Sequence, residues 1–215
     1  MLAIVLGRAL RIRFRALVIF AGLFTLGAGP AIAAKWYVDA KLGDLKPEEA
    51  VTVANPKPAQ LLFEFQTDGV LNAKATKYVR PLAIPAITAR HAFSELTEEP
   101  TPGNAVLTIA MNNITEKGAA GKGFKTGLTF GLAALAVTDR YAVHFELLQG
   151  PGTTPISCDV EHALHLTMGK KEDPAIGILV KNPTAGVQLI VDQTMAHGIN
   201  CLAAKMAAAP APAGQ

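Results

Sequence analysis

The sequence predicts an α+β fold: a mostly antiparallel sheet of about four strands with two main helices packed on one face, preceded by a signal peptide. Three observations predict it. Four segments alternate apolar and polar residues with the period of two that sends successive side chains to opposite faces of a strand. Two longer segments repeat their apolar residues at helical spacing. The order is strand, helix, strand, Gly-rich segment, two hairpin strands, helix, which suits helices gathered on one face of a sheet.

Residues 1–33 read as the signal peptide. Arg8, Arg11, Arg13 and Arg15 give a basic start, an apolar run follows from Ala16, and Pro30 precedes a small-residue exit at Ala31-Ile32-Ala33. Charge, apolar run and A-x-A in that order predict export and cleavage after Ala33 or Ala34. The competing reading is an uncleaved anchor, since Ala16 to Ala34 is about long enough to cross a bilayer. Pro30 and three glycines make it a poor permanent helix. No Cys follows the apolar run, so a lipid-anchored amino terminus is not expected.

Cleavage changes the charge. The chain of 215 residues carries 20 basic and 17 acidic side chains, and losing the four arginines leaves 16 basic, a net of about −1. The pI of 8.9 therefore belongs to the precursor and predicts no nucleic-acid partner.

Residues 34–60 hold Pro47, Pro56 and Pro58 and read as an extended lead-in, with a short turn at Lys46-Pro47-Glu48-Glu49. A single domain is expected over 61–206. Its first strand is Leu61–Thr67, with Leu61, Phe63 and Phe65 on one face, broken by Asp68-Gly69. A helix is expected from Leu71 to Leu96, with Tyr78, Val79, Leu82, Ala86, Ala89 and Phe93 inward, and with Pro81 and Pro85 kinking or splitting it. Ala105–Ile114, Thr138–Leu148 and Ser157–Met168 are the other strands. Asn182-Pro183 is a helix start, Asn as cap and Pro in the first turn, and that helix runs to about Lys205. Residues 207–215 form an Ala/Pro tail expected to be disordered.

Two cysteines remain in the exported chain, Cys158 and Cys201. In an oxidising compartment an even count favours a disulfide. Cys158 lies on the apolar face of its strand and Cys201 on the apolar face of the last helix, so both should point into the same layer. Two buried free thiols would show the same pattern.

The Gly-rich segment from Gly118 to Val137 does not fit a phosphate loop. Lys122 is followed by Gly123 rather than Ser or Thr, and Gly121, Gly123 and Gly127 miss the dinucleotide spacing. No nucleotide or other cofactor is expected. Gly123, Gly127 and Gly131 recur every four residues and would form a smooth groove on a helix, suited to close helix packing or to a membrane surface. A Gly-rich loop leading into the core is the plainer reading.

Catalytic and metal motifs are absent from the sequence. Ser94 and Ser157 are the only serines, and neither lies in G-x-S-x-G. There is no C-x-x-C and no H-E-x-x-H. His144 and His165 should share the outer sheet face with Glu146, Asp159 and Glu161, where they could assemble a weak metal- or proton-binding patch, a solvated polar face being the favoured reading. Convergence of His144, His165 and Asp159 in a pocket would be required for an enzyme. His162 falls on the apolar face and is expected to be a hydrogen-bonded core histidine.

Leu61–Thr67 with Asp68-Gly69, the helix, the Gly-rich segment running into Thr138-Asp139-x-Tyr141, then Glu161-His162-Ala163-Leu164 and the closing helix resemble a group of small, uncharacterised bacterial envelope proteins. Their shape is similar to periplasmic α/β accessory domains of outer-membrane assembly or transport. The resemblance covers Leu61 to Lys205. It implies a non-enzymatic protein that binds another envelope component through its sheet face or its Gly-rich segment. A membrane-associating oligomer built on the glycine groove is the second expectation. Many such relatives carry a lipidated Cys that this chain lacks.

Overall fold

The eight strands and two helices seen in the computed structural model lie within residues 34–115, 135–168 and 177–208, the residues the structure describes. The expected signal peptide, Gly123, Gly127 and Gly131, and the end of the expected Ala/Pro tail lie outside the described residues.

The strands are β1 (Ala34–Val38), β2 (Ala59–Thr67), β3 (Val70–Leu71), β4 (Leu96–Thr97), β5 (Val106–Thr115), β6 (Leu135–Leu148), β7 (Ile156–Met168) and β8 (Ile178–Val180). The helices are α1 (Ala73–Thr88) and α2 (Pro183–Ala208). The sheet runs β3-β2-β5-β6-β7-β1-β8, with β4 also on β2. The four strands with strong alternation are its centre. The four that sequence alone did not reveal are β3, β4 and β8, two or three residues each, and β1. A strand of two residues has no period to read.

Two expectations are corrected here. The sheet is mixed, because β2 and β5 are parallel, and a parallel pair requires a crossover, which α1 supplies. The lead-in is not merely extended either. Its first five residues form β1, inserted between β7 and β8. The turn at Pro47–Glu49 is present as a short 3-10 helix.

The inner face is built in cross-strand rows. Phe63, Ile109, Phe145 and Cys158 lie side by side across β2, β5, β6 and β7, and Phe65, Met111, Val143 and Val160 form the next row. These residues are buried beneath α1 and α2. The helices pack on each other as well as on the sheet, α1 over β2 and α2 over β7, β6 and β1.

Helix α1 is unbroken through Pro81 and Pro85. Each proline lacks the N–H that would bond the carbonyl four residues earlier, so the carbonyls of Lys77 and Pro81 lose their helical donors. Lys77, Pro81 and Pro85 all lie on the exposed side, where water can replace those donors. The buried line is Val79, Ala83 and Ile87, so Tyr78 and Ala89 face out, contrary to expectation. The helix ends at Thr88 rather than near Leu96. Asn72 caps its start, its Oδ1 accepting the Ala75 N–H at 3.0 Å. Asn182 caps α2 in the same way through the Ala185 N–H at 2.9 Å, as Asn182-Pro183 predicts. Ala207 and Ala208 continue α2 rather than beginning a tail.

Cys158 and Cys201 form a disulfide that ties α2 to β7 across 43 residues. No described helix is long and apolar enough to cross a membrane.

Candidate functional site

The two described helices cover one face of the sheet, and neither of them packs on the other. Strand register assigns the residues of this outer face. Ala110, His144 and Asp159 form one row, Asn112, Ala142 and Glu161 the next, then Ile114, Arg140 and Ala163, and finally Thr138, His165 and Tyr37. The last three rows border a cleft of about 670 Å3. Its polar wall is Asp39, Lys41, Thr138, Arg140, Glu161 and His165, and Ile114 and Leu42 add apolar surface.

The cleft carries both signs of charge with a partly apolar floor. Such a lining suits a polar or zwitterionic surface more than an apolar ligand. The face is not uniformly wet at this end, since Tyr37, Ala163 and Thr167 are buried although they point away from the helices.

The expected outer-face histidines are present but separated. His144 Nδ1 meets Asp159 Oδ1 at 2.7 Å, and His165 Nδ1 meets Thr138 Oγ1 at 3.0 Å. Asp159 and His165 are six residues apart on β7, roughly 20 Å at strand rise. His144, His165 and Asp159 therefore do not converge. His144 and Asp159 are both well exposed, and an exposed pair of this kind adds little stability. Among the described residues no group of three His, Cys, Asp or Glu side chains is placed to hold a metal.

His162 lies on the opposite face, buried under α2, as expected of a core histidine. The Ala163 N–H donates to its Nδ1 at 2.9 Å, so the ring proton sits on Nε2, which donates to Gln193 Oε1 at 2.6 Å. Gln193 Nε2 then donates to Asp44 Oδ1 at 2.8 Å. Every hydrogen bond of the neutral ring is satisfied. Burial lowers the His162 pKa, aided by His165 and His197 and opposed by the Gln193 hydrogen bond and the Asp39 carboxylate. His197 adds a second tie from α2 to the same loop, through the Gly43 carbonyl at 3.2 Å. These bonds fix the loop that follows β1, and with it Asp39, Lys41 and Leu42 at the end of the cleft. Sequence reasoning missed Gln193 and Asp44, because a polar residue in a helix and an acid in a loop signal nothing until they meet.

Burial also raises the pKa of Asp139, and burial first and Asp139 second push the Tyr141 phenol up. Tyr141 is thus a neutral part of the core and not a candidate base.

No protein-family model matches the chain, and no curated protein matches it. Among solved structures it is similar to the dodecamer of a PelC point mutant from Paraburkholderia phytofirmans, at 12% identity and a TM-score of 0.35, over 78% of this chain and 98% of that one. It is similar to a Xanthomonas campestris protein of the family DUF330, at 12% identity and a TM-score of 0.37, over 74% of this chain and 93% of that one. It is also similar to the rare lipoprotein B from Shewanella oneidensis, at 14% identity and a TM-score of 0.31, over 69% of this chain and 94% of that one. At these identities no residue role is carried across.

Proposed function

We propose that this is an exported, non-enzymatic envelope protein, a binding module that docks another periplasmic or outer-membrane component on the sheet face opposite the two described helices. The observation that carries the reading is the cleft beside Arg140, Glu161 and His165. The inner face is committed to packing two helices, whereas the outer face offers both charge signs and a concave floor. A leader-like amino terminus and the Cys158–Cys201 disulfide agree with an oxidising compartment.

The test is site-specific photocrosslinking in intact cells. A photoreactive residue replaces Ala142, which lines the cleft, or Lys77, which is exposed on the outer side of α1. A discrete adduct from position 142 and none from position 77 supports docking on the sheet face. Equal labelling from both positions, or none from position 142, refutes it.

A further inference from the structure

We infer that the tip of the β2–β3 hairpin and the first two turns of α1 form a docking surface for an anionic lipid bilayer. Val70, Leu71 and Tyr78 are the most exposed large apolar side chains among the described residues, at 70%, 58% and 53%. None of them lines the cleft beside Arg140. Single exposed apolar residues are ordinary, but a group of them marks a contact surface.

The charges around this group are of one sign. Lys74, Lys77 and Tyr78 share one side of α1 by helical spacing, and all three are exposed. From Gly69 to Ser94 the chain carries Lys74, Lys77, Arg80 and Arg90 and no Asp or Glu. Arg80 is paired with Glu98, whereas the ammonium groups of Lys74 and Lys77 have no partner among the described residues. The adjoining acids are engaged elsewhere. Asp68 accepts the Thr115 N–H at 3.0 Å and its hydroxyl at 2.6 Å, and Glu64 accepts the Gln66 side-chain amide. The first turn of α1 holds no acid, so the positive end of the helix dipole adds to the field of the two lysines.

This combination suits lipid better than protein. Lysine is depleted from protein–protein interfaces. At a bilayer its stem lies along apolar surface while the ammonium reaches the head groups, and an anionic surface attracts it. A tyrosine sits well at the head-group level, ring inward and hydroxyl in water. Val70 and Leu71 point to opposite sides of β3, so the tip is a narrow wedge, apolar on both sides, rather than a flat face. The wedge is held in place before any contact. The Asn72 N–H donates to the Phe65 carbonyl at 2.8 Å, and the Gly69 N–H donates to Asn112 Oδ1 at 2.9 Å. The contact is peripheral, because the apolar line of α1, Val79, Ala83 and Ile87, is already packed in the core.

The test is flotation of the purified full chain with phosphatidylglycerol vesicles and with zwitterionic phosphatidylcholine vesicles. Binding to phosphatidylglycerol alone, weakened by salt, is expected. K74E/K77E should weaken it at least about tenfold, each lysine being worth about fivefold, and L71S/Y78S should weaken it about tenfold. K181E makes the same change of charge at an exposed residue beyond β8 and should leave binding within about twofold. V70W gives a positive readout: its emission should move to the blue with phosphatidylglycerol and not with phosphatidylcholine, against the baseline of Trp36, the one native tryptophan. Equal binding to both vesicles, unchanged binding in K74E/K77E, or no V70W shift overturns the inference. A discrete protein adduct from a photoreactive residue at position 70, without vesicle binding, would make the surface a protein interface and overturn it too. A lipid contact yields no protein adduct at position 77, so crosslinking from position 142 is read independently.

Discussion

A methyl group on Gly198 would lie closer than 3.0 Å to three ring carbons of Phe145. Gly198 is on the buried side of α2 and Phe145 is in the central row of the sheet, with no exposure at all. Helix and sheet approach here as closely as backbone and an aromatic ring allow. The ring is held by Ile109 and Cys158 on the neighbouring strands, so it has nowhere to move.

G198A should therefore destabilise the protein by about 1–3 kcal/mol, overpacking outweighing the better helix propensity of Ala. Urea unfolding measures it. Adding F145L should recover part of the loss, and the double-mutant cycle should show a favourable coupling. Simple additivity would mean that the contact does not set the helix–sheet distance.

Gly69 makes the opposite case. Asp68 and Gly69 have φ values of 50° and 79° and join β2 to β3 through a two-residue turn, the backbone that right-twisted strands favour. A Cβ on Gly69 meets nothing within 4 Å. G69A should cost only the backbone term, about 1–2 kcal/mol, and no partner substitution should rescue it. The contrast between the two glycines is read in the same unfolding series.

The Cys158–Cys201 bond closes a long loop and should contribute about 2–4 kcal/mol. The C158A/C201A protein should unfold at correspondingly lower urea. Intact mass after alkylation should show no modified cysteine until the protein is reduced. Ready alkylation of the unreduced protein would contradict the bond.

His162 predicts a pH dependence of stability. Its folded pKa lies below the ordinary value of 6.5, so between the two values the unfolded chain binds the extra proton. Stability should be fully present above about pH 6.5, fall as pH drops through that value, and stop falling on this account below the folded pKa. The slope is at most about 1.4 kcal/mol per pH unit for one proton. H162Q removes the titrating ring and should flatten the curve over this window. Asp39, His165 and His197 act on the same ring and remain in the variant, so a curve unchanged by H162Q would refute the assignment to His162.

The sequence by itself determined the four central strands, the two helices, the Asn182 cap, the faces of Cys158 and Cys201, and the burial of His162. All of these rest on local rules: a period of two or of 3.6, a side-chain cap, and the alternation that sends His162 one way and His165 the other. Tertiary structure decided what those rules cannot reach. The two-residue strands β3 and β4 exist only because β2 offers them an edge. The parallel pairing of β2 with β5 follows from the α1 crossover. The inward line of α1 is Val79, Ala83 and Ile87 because those residues meet the sheet, and the prolines that argue against a continuous helix sit where water can replace their missing bonds. The cleft beside Arg140 and the Asp44–Gln193–His162 chain join residues far apart in sequence. Asp44 and Gln193 are 149 positions apart, and only folding brings such groups within hydrogen-bonding distance.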